Sequence, residues 1–296
     1  MKKIIIYILC VCLMFTFIFS KSVFAKNNKN ETVENSSIEK EITAKAAVLM
    51  EPESKTILVN KNGDEKLCPA SITKIMTLLL IFEELEAGKI KLDDMVTTSE
   101  HAKSMGGSQV FLETGEQQSV ETLIKCIVVA SGNDASVAMA EYIAGSESEF
   151  VDRMNKKAKE LGMKNTHFTN STGLHNPEHY STVEDLGILL QYAVKNEDFR
   201  AAFTSSRYST HSSEQHPDGF TFYSTMFKYM DSTEVVGGEI IGGKTGYTEE
   251  AGLCLASLAQ IHGKEYILVT AKANGTHQTE QFHILDAINV YNQIGE

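Results

Sequence analysis

Apolar and polar positions change period along the chain, and each period predicts a different element. Two short apolar runs, 46–50 and 56–59, flank the polar stretch Glu51-Pro-Glu-Ser-Lys55 and predict a β-hairpin. From Ser71 to Ala87 the apolar residues Ile72, Ile75, Met76, Leu79, Leu80 and Phe82 recur at spacings of three and four, and Gly88 follows as a stop signal. The apolar face is wide, so this helix is expected to be buried on most sides. Residues 119–200 read as mostly helical. Ser119 with Glu121 opens one helix ending near Ala130, and Asn133 or Asp134 caps a second running through Ala144. Ser146-x-x-Glu149 is a capping box for a third, closed by Gly162, and Thr182-x-x-Asp185 opens a fourth. Residues 201–235 are polar, with no clear period.

Beyond 235 the pattern turns to strands over 239–244, 253–261 and 265–272, with His262-Gly263-Lys264 as a hairpin turn. Residues 279–294 then form an amphipathic helix through Phe282, Leu285, Ile288, Val290 and Tyr291. No internal repeat is present. Strands near both ends and helices between them predict an α/β (α+β layered) domain. Its antiparallel sheet is built from both chain ends, with flanking helices and an inserted helical subdomain.

The first residues stand apart. Lys2 and Lys3 precede an apolar run from Ile4 to Phe19 broken only by Thr16, and Val23-Phe-Ala25 supplies the small residues of a cleavage site. This is the pattern of a secretory signal, with cleavage expected after Ala25. The run is short for a membrane span of about 20 residues, and an uncleaved anchor is the alternative. Either way the remainder is expected outside the cytoplasmic membrane, secreted or in the cell envelope. Residues 26–43, rich in Lys, Asn, Glu and Ser, read as a flexible tether, which leaves 44–296 as the folded domain.

Composition narrows the function classes. The chain carries 27 Lys and Arg against 39 Asp and Glu, a formal net charge of −12, which weighs against a nucleic-acid binder. Cys68, Cys126 and Cys254 follow two cysteines in the signal; three widely spaced thiols make neither a disulfide framework nor a zinc site. They read as small buried hydrophobes, with a single Cys68–Cys126 or Cys126–Cys254 bridge as the alternative. His175 and His179 are separated by three residues, but Pro177 lies between them and no HExxH is present, so neither a helical metal site nor any other metal is expected.

Three short constellations carry candidate chemistry. Ser71-Ile-Thr-Lys74 puts a lysine one helical turn from a serine at the start of the predicted helix. A serine hydroxyl needs a base to become nucleophilic. A neutral lysine is such a base, and bringing its pKa from about 10.4 towards 7 takes roughly 4–5 kcal/mol of environmental bias. Burial and a second cation both act in that direction. Ser131-Gly-Asn133, between two predicted helices, offers a proton-relaying hydroxyl and an amide for a substrate carbonyl. Lys244-Thr-Gly246 ends the predicted strand 239–244, where glycines permit an extended peptide to lie close. Lys244 is the candidate second cation and Thr245 a hydroxyl for a carboxylate.

In this order, an S-x-x-K, an S-x-N-like and a K-T-G element form the known set of serine β-lactamases and penicillin-binding proteins. With Pro69-Ala-Ser-Ile-Thr-Lys74, Met105-Gly-Gly-Ser108, Val129-Ala-Ser-Gly-Asn-Asp134, His179-Tyr-Ser-Thr182 and Gly243-Lys-Thr-Gly-Tyr-Thr248, the chain resembles the serine-type D-alanyl-D-alanine carboxypeptidases, the low-molecular-mass penicillin-binding proteins. The resemblance implies a transpeptidase/β-lactamase-like fold, with Ser71 as acylated nucleophile and Lys74 as its base. It places Ser131 and Asn133 in the cleft and gives Lys244 and Thr245 the substrate's terminal carboxylate. Gly246 and Tyr247 border the same subsite, and the backbone N–H groups of Ser71 and Tyr247 form an oxyanion hole. Substrates would be peptidoglycan stem peptides ending in D-Ala-D-Ala, β-lactams would acylate the same serine, and no cofactor is implied. Family members commonly carry an arginine after the last strand; here the last arginine is Arg207, and Lys272 is the expected point-charge substitute. A C-terminal amphipathic membrane anchor is not expected from residues up to Glu296.

Neighbouring functions are weighed by the same residues. A class A β-lactamase needs a Glu-x-x-x-Asn after the second element, and 134–243 contains none. A D,D-endopeptidase acting on cross-links shares all three elements and stays as an alternative, as does an envelope protein that binds penicillin without turnover.

Overall fold

The computed structural model describes residues 37–210, 219 and 221–296. The chain divides into two units, residues 1–41 and 42–296. Of the first, residues 37–41 are described and are helical; the signal and most of the expected tether lie outside the described residues. The second unit starts before residue 44: the backbone N–H and hydroxyl of Thr43 and the N–H of Ala44 all donate to Asp286.

One six-stranded antiparallel sheet organises this unit. Its strands are β1 (Ala46–Glu51), β2 (Thr56–Lys61), β7 (Glu234–Val235), β8 (Gly238–Thr248), β9 (Gly252–Ile261) and β10 (Lys264–Ala273), in the order β2-β1-β10-β9-β8-β7. The first hairpin thus joins the last three strands through β1 against β10, with Val48 opposite Val269. The β9–β10 turn is two residues, His262 and Gly263, both at positive φ, the twist that suits a tight hairpin. β1 and β9 are buried on both faces, so their sequences read as continuous apolar runs rather than as alternations. Alternate residues separate the two layers. Val48, Met50, Ala256 and Leu258 face the main core. Ser257 faces the closing helix α8 (Phe282–Gly295), where its hydroxyl meets the buried Tyr291 hydroxyl at 3.0 Å.

The main core is filled by the intervening helices: α1 (Lys74–Glu86), α2 (Glu100–Lys103), α3 (Val120–Val128), α4 (Asn133–Ala144), α5 (Glu147–Leu161), α6 (Val183–Ala193) and α7 (Glu197–Phe203). Every residue of α1 from Lys74 to Phe82 is buried, as its wide apolar face implies. Ser119, Ser146 and Thr182 each accept a backbone N–H three residues on, closing the N-termini read from sequence.

Several local readings change. The helix expected from Ser71 begins as a 3₁₀ turn over Ala70–Thr73, and α-helical bonding starts at Lys74. Neither Asn133 nor Asp134 caps α4; Gly132 occupies that position and both side chains are used elsewhere. The strand expected to end at Lys244 continues to Thr248, because Lys244, Thr245 and Gly246 pair with Ala256, Leu255 and Cys254. The aperiodic segment contains a short pair, β5 (Arg207–Ser209) with β6 (Thr221–Tyr223), and a second pair, β3 (Met95–Thr97) with β4 (Gln117–Ser119), was missed; three residues are too few to show a period. Cys68, Cys126 and Cys254 are all free thiols, which removes both candidate bridges.

Candidate active site

The site forms where the 3₁₀ turn before α1 meets β8. Ala70 is held at φ 46°, an uncommon conformation for a residue with a Cβ, and it precedes Ser71 in a tight bend. Strand β8 passes so close that a Cβ on Gly246 would lie 3.0 Å from the Ser71 backbone nitrogen and 3.1 Å from the Pro69 carbonyl oxygen. Glycine admits that approach without displacing the turn, and it brings the Tyr247 end of β8 beside Ser71. A loop presses from the other side: a Cβ on Gly173 would fall 1.8 Å from the Ala70 carbonyl oxygen.

Lys74 Nζ lies 3.0 Å from Ser71 Oγ, and 2.7 Å from both Asn133 Oδ1 and the Thr172 carbonyl oxygen. The side chain is fully buried, and burial, aided by the charge of Lys244, holds its pKa well below the usual lysine range, against an opposing pull from Asp134. A neutral amine has two hydrogens. Asn133 and Thr172 take both, and the lone pair then faces Ser71 Oγ. The arrangement can therefore draw the proton from the serine hydroxyl.

Asn133 is itself oriented, its amide nitrogen donating to the Gly106 carbonyl at 2.6 Å and its backbone N–H to the Ser108 carbonyl at 2.8 Å. Asp134 anchors the same loop by accepting the N–H groups of Val110 and Leu112. Ser131 sits at φ 61°, in the left-handed region, which turns its hydroxyl towards β8. Lys244 Nζ donates to Ser131 Oγ at 2.8 Å and to the Thr245 carbonyl at 2.9 Å, and burial lowers its pKa to about 7. Thr245 Oγ1 donates to Thr225 Oγ1 at 2.6 Å.

Beside Thr245 opens a cavity of about 330 Å³, lined among others by Ser108, Thr225, Lys228, Tyr247 and His277. Tyr247 and His277 meet edge to face, with ring centroids 4.6 Å apart. Among the described residues no group of His, Cys, Asp and Glu is arranged to hold a metal.

The sequence model for Peptidase S11, D-alanyl-D-alanine carboxypeptidase, matches residues 29–275. The chain belongs to this family. It is 47% identical over 262 residues to the D-alanyl-D-alanine carboxypeptidase DacF of Bacillus subtilis, covering 88% of this chain and 63% of that protein. It is 44% identical over 181 residues to DacC of Escherichia coli, covering 59% of this chain and 44% of that protein. The chain thus spans under two thirds of the length of these relatives. Among solved structures, penicillin-binding protein 5 of Haemophilus influenzae superposes with a TM-score of 0.75 at 31% identity, over 84% of this chain and 70% of that one. The D-alanyl-D-alanine carboxypeptidase DacD of Francisella tularensis superposes at 0.73 with 28% identity, over the same shares.

Within this Peptidase S11 chain, Ser71, Lys74, Ser131, Asn133 and Lys244 converge, and Thr245, Gly246 and Tyr247 form one wall of the adjoining cavity. Lys272 does not join them. It is solvent-exposed at the bulge of β10, where its carbonyl accepts the Lys45 N–H, and it does not line the cavity. The cation on that wall is Lys228, which the aperiodic pattern of 201–235 concealed. Two further groups went unread. The Thr172 carbonyl carries no side-chain signature, although the turn-rich run Thr169-Asn-Ser-Thr-Gly173 marks its loop; Asn170 Oδ1 shapes that loop by accepting the N–H groups of Thr172 and Gly173. His179, which opens the resembling stretch His179-Tyr-Ser-Thr182 but carries no assigned role in sequence, is buried behind the site. Its Nδ1 accepts the Thr169 N–H at 3.0 Å, so Nε2 carries the proton and donates to Thr73 Oγ1 at 2.8 Å. Burial, with smaller repulsion from His167, His175 and Lys74, lowers its pKa to about 4 and keeps the ring neutral.

Proposed function

We propose that this chain is a serine-type D-alanyl-D-alanine carboxypeptidase acting on peptidoglycan stem peptides. The observation that carries the reading is the buried Lys74 amine, shared between Ser71 Oγ, Asn133 Oδ1 and the Thr172 carbonyl, with a second buried lysine behind Ser131. Lys74 takes the Ser71 proton as Oγ attacks the carbonyl between the two D-alanines. The N–H groups of Ser71 and Tyr247 stabilise the oxyanion. The C–N bond breaks, the terminal D-alanine leaves with a proton relayed through Ser131, and water then hydrolyses the acyl ester to free the serine. Asn133 orients the lysine and the peptide, and Thr245 hydrogen-bonds the terminal carboxylate with Lys244 behind it. β-Lactams would acylate Ser71 by the same attack. Membership of the family and identity to the named carboxypeptidases support the substrate class.

The same reading assigns residues 1–25 as a cleaved signal, followed by a tether from residue 26 and a catalytic domain that is folded from residue 42 onward, acting outside the cytoplasmic membrane in cell-wall remodelling. Its support is the sequence of Lys2-Lys3, the apolar run and Ala25. Among the described residues no helix is long and apolar enough to cross a membrane.

Mass spectrometry of a pentapeptide ending in D-Ala-D-Ala tests the activity. The expected products are the tetrapeptide and free D-alanine, with Ser71→Ala giving neither these nor a covalent adduct with labelled penicillin. An adduct on Ser71→Ala, or wild-type enzyme that cuts only cross-linked dimers, would overturn the assignment.

A further inference from the structure

The lone pair of Lys74 faces Ser71 only while both amine hydrogens are taken, so their two acceptors must hold their places together. The acceptors have separate supports. Asn133 is set by the carbonyls of Gly106 and Ser108, just after α2, whereas the Thr172 carbonyl belongs to the loop 169–173. One carboxylate touches both supports. Glu147, the first residue of α5, accepts the Ser171 N–H at 2.9 Å and the Ser171 hydroxyl at 2.7 Å through Oε1. Its Oε2 accepts from His101 Nε2 of α2 at 3.1 Å.

Both ties are tight. Ser171 is wholly buried, and its carbonyl accepts the Thr77 hydroxyl of α1 at 2.7 Å, so the residue is gripped on both sides immediately before Thr172. His101 is wound into the turn that leads to Gly106: the Ser104 N–H and hydroxyl both donate to its carbonyl, and the Met105 N–H donates to that of Ala102. The N-cap of α5 is Ser146, which leaves the Glu147 carboxylate to these contacts. Its side chain is only 15% exposed, against 50% for His101. Glu141 and Asp152 are the other acidic groups around the cavity that this pair borders.

We infer that Glu147 is a positioning residue for acylation of Ser71. It clamps the Thr172 carbonyl and, through His101, the segment that sets Asn133, so that Lys74 offers Ser71 its lone pair and not a hydrogen. This rests on Lys74 being the base for Ser71 and not on which peptide is the substrate. Without the clamp the Thr172 carbonyl recedes, and the freed Lys74 hydrogen turns towards Ser71 Oγ, where it opposes withdrawal of the serine proton. That carbonyl also stabilises an ammonium more than an amine, so its retreat lowers the Lys74 pKa. Lys244, Asp134 and His179, the titratable groups that interact with Lys74, are unchanged by the loss. A slower base with a lower pKa is the signature. Partial unfolding would cut the rate and leave the pKa in place.

Stopped-flow acylation by saturating benzylpenicillin, followed across the pH range in which Lys74 loses its proton, tests this in wild type, Glu147→Ala, Glu147→Gln and His101→Ala. Glu147→Ala is expected to lower the plateau rate about tenfold, the scale of a small misplacement of reacting groups, and to move the acid limb to lower pH. Glu147→Gln keeps an oxygen for Ser171 and is expected to restore most of the rate and the limb. His101→Ala removes the tie to α2 alone, at a half-exposed side chain, and is expected to slow the plateau about threefold. A wild-type plateau in Glu147→Ala, or a loss with the limb unmoved and no recovery in Glu147→Gln, would overturn the inference. Should Glu147→Ala fail to fold, a wild-type plateau in His101→Ala would overturn the link between the two supports. Wild type that penicillin does not acylate would instead remove Lys74 and Ser71 as the reacting pair, and the inference with them.

Discussion

Lys74 and Lys244 are both fully buried, and each is held by neutral oxygen atoms rather than by a carboxylate. Desolvation then favours their neutral forms, and the charge of Lys244 further disfavours that of Lys74. Lys74 acts as a base only when neutral, so acylation by penicillin is expected to rise with pH as Lys74 loses its proton, along a limb lying well below the usual lysine range. Lys244→Met removes a cation that lowers the Lys74 pKa. The Lys74 pKa then rises, and the acid limb moves to higher pH. Lys244→Arg keeps a positive charge and is expected to keep the limb low. Stopped-flow acylation between pH 5 and 10 measures this, and a limb that stays in place in Lys244→Met would assign the Lys74 shift to burial alone. His179 titrates at about 4 and stays neutral across that window, so it contributes no limb of its own.

The site depends on two elements touching at backbone distance. The 3₁₀ turn carries Ser71, and β8 carries the glycine that lets its own backbone approach. Gly246→Ala would place a methyl group against Ser71 N, the Ala70 Cβ and the Pro69 carbonyl at 3.0–3.1 Å, tight enough that the turn or the strand must give by a few tenths of an ångström. The strand is paired along its length with β9 and has little freedom to retreat. Acylation of Gly246→Ala is therefore expected to slow at least about tenfold, the scale set by a small misplacement of reacting groups. Circular dichroism should remain that of the wild type, because the clash is confined to one contact. A variant that acylates at the wild-type rate would show that β8 and the turn can separate without loss.

Across the whole domain, the sheet joins residues near 46 to residues near 270, and the closing helix locks that junction. Asp286 on α8 accepts three hydrogen bonds from Thr43 and Ala44, and it is almost wholly buried. Asp286→Ala leaves two backbone N–H groups without their acceptor, a loss of roughly 2–4 kcal/mol. For a domain of this size that lowers Tm by roughly 5–15 °C. Thermal denaturation is the measure, and penicillin acylation at 25 °C is expected to persist because the reacting groups lie on the 3₁₀ turn, α1, the Ser131 loop and β8 rather than on β1. Loss of acylation at 25 °C with an unchanged Tm would contradict this division of roles.

The sequence alone determined those features whose causes lie within about four residues. The wide apolar face of α1, the caps at Ser119, Ser146 and Thr182, the two-residue turn at His262-Gly263 and the spacing of Ser71 and Lys74 are local, so a linear pattern records them. Strands buried on both faces were legible as strands but not as to face, since both sides are apolar. Tertiary structure decided the rest. Lys74 finds Asn133 and Thr172 at separations of 59 and 98 residues, and Lys244 finds Ser131 at 113. Two of the groups that orient the site, the carbonyls of Thr172 and Gly106, belong to the backbone, which any residue supplies. Asn133 reads as a helix cap in isolation, and only the arrival of Lys74 gives its oxygen another partner. The same holds for the cavity's cation. Lys228 and Lys272 are equal in sequence, and the packing of Met226 against Gly243 is what brings one of them to the wall while a bulge turns the other to solvent.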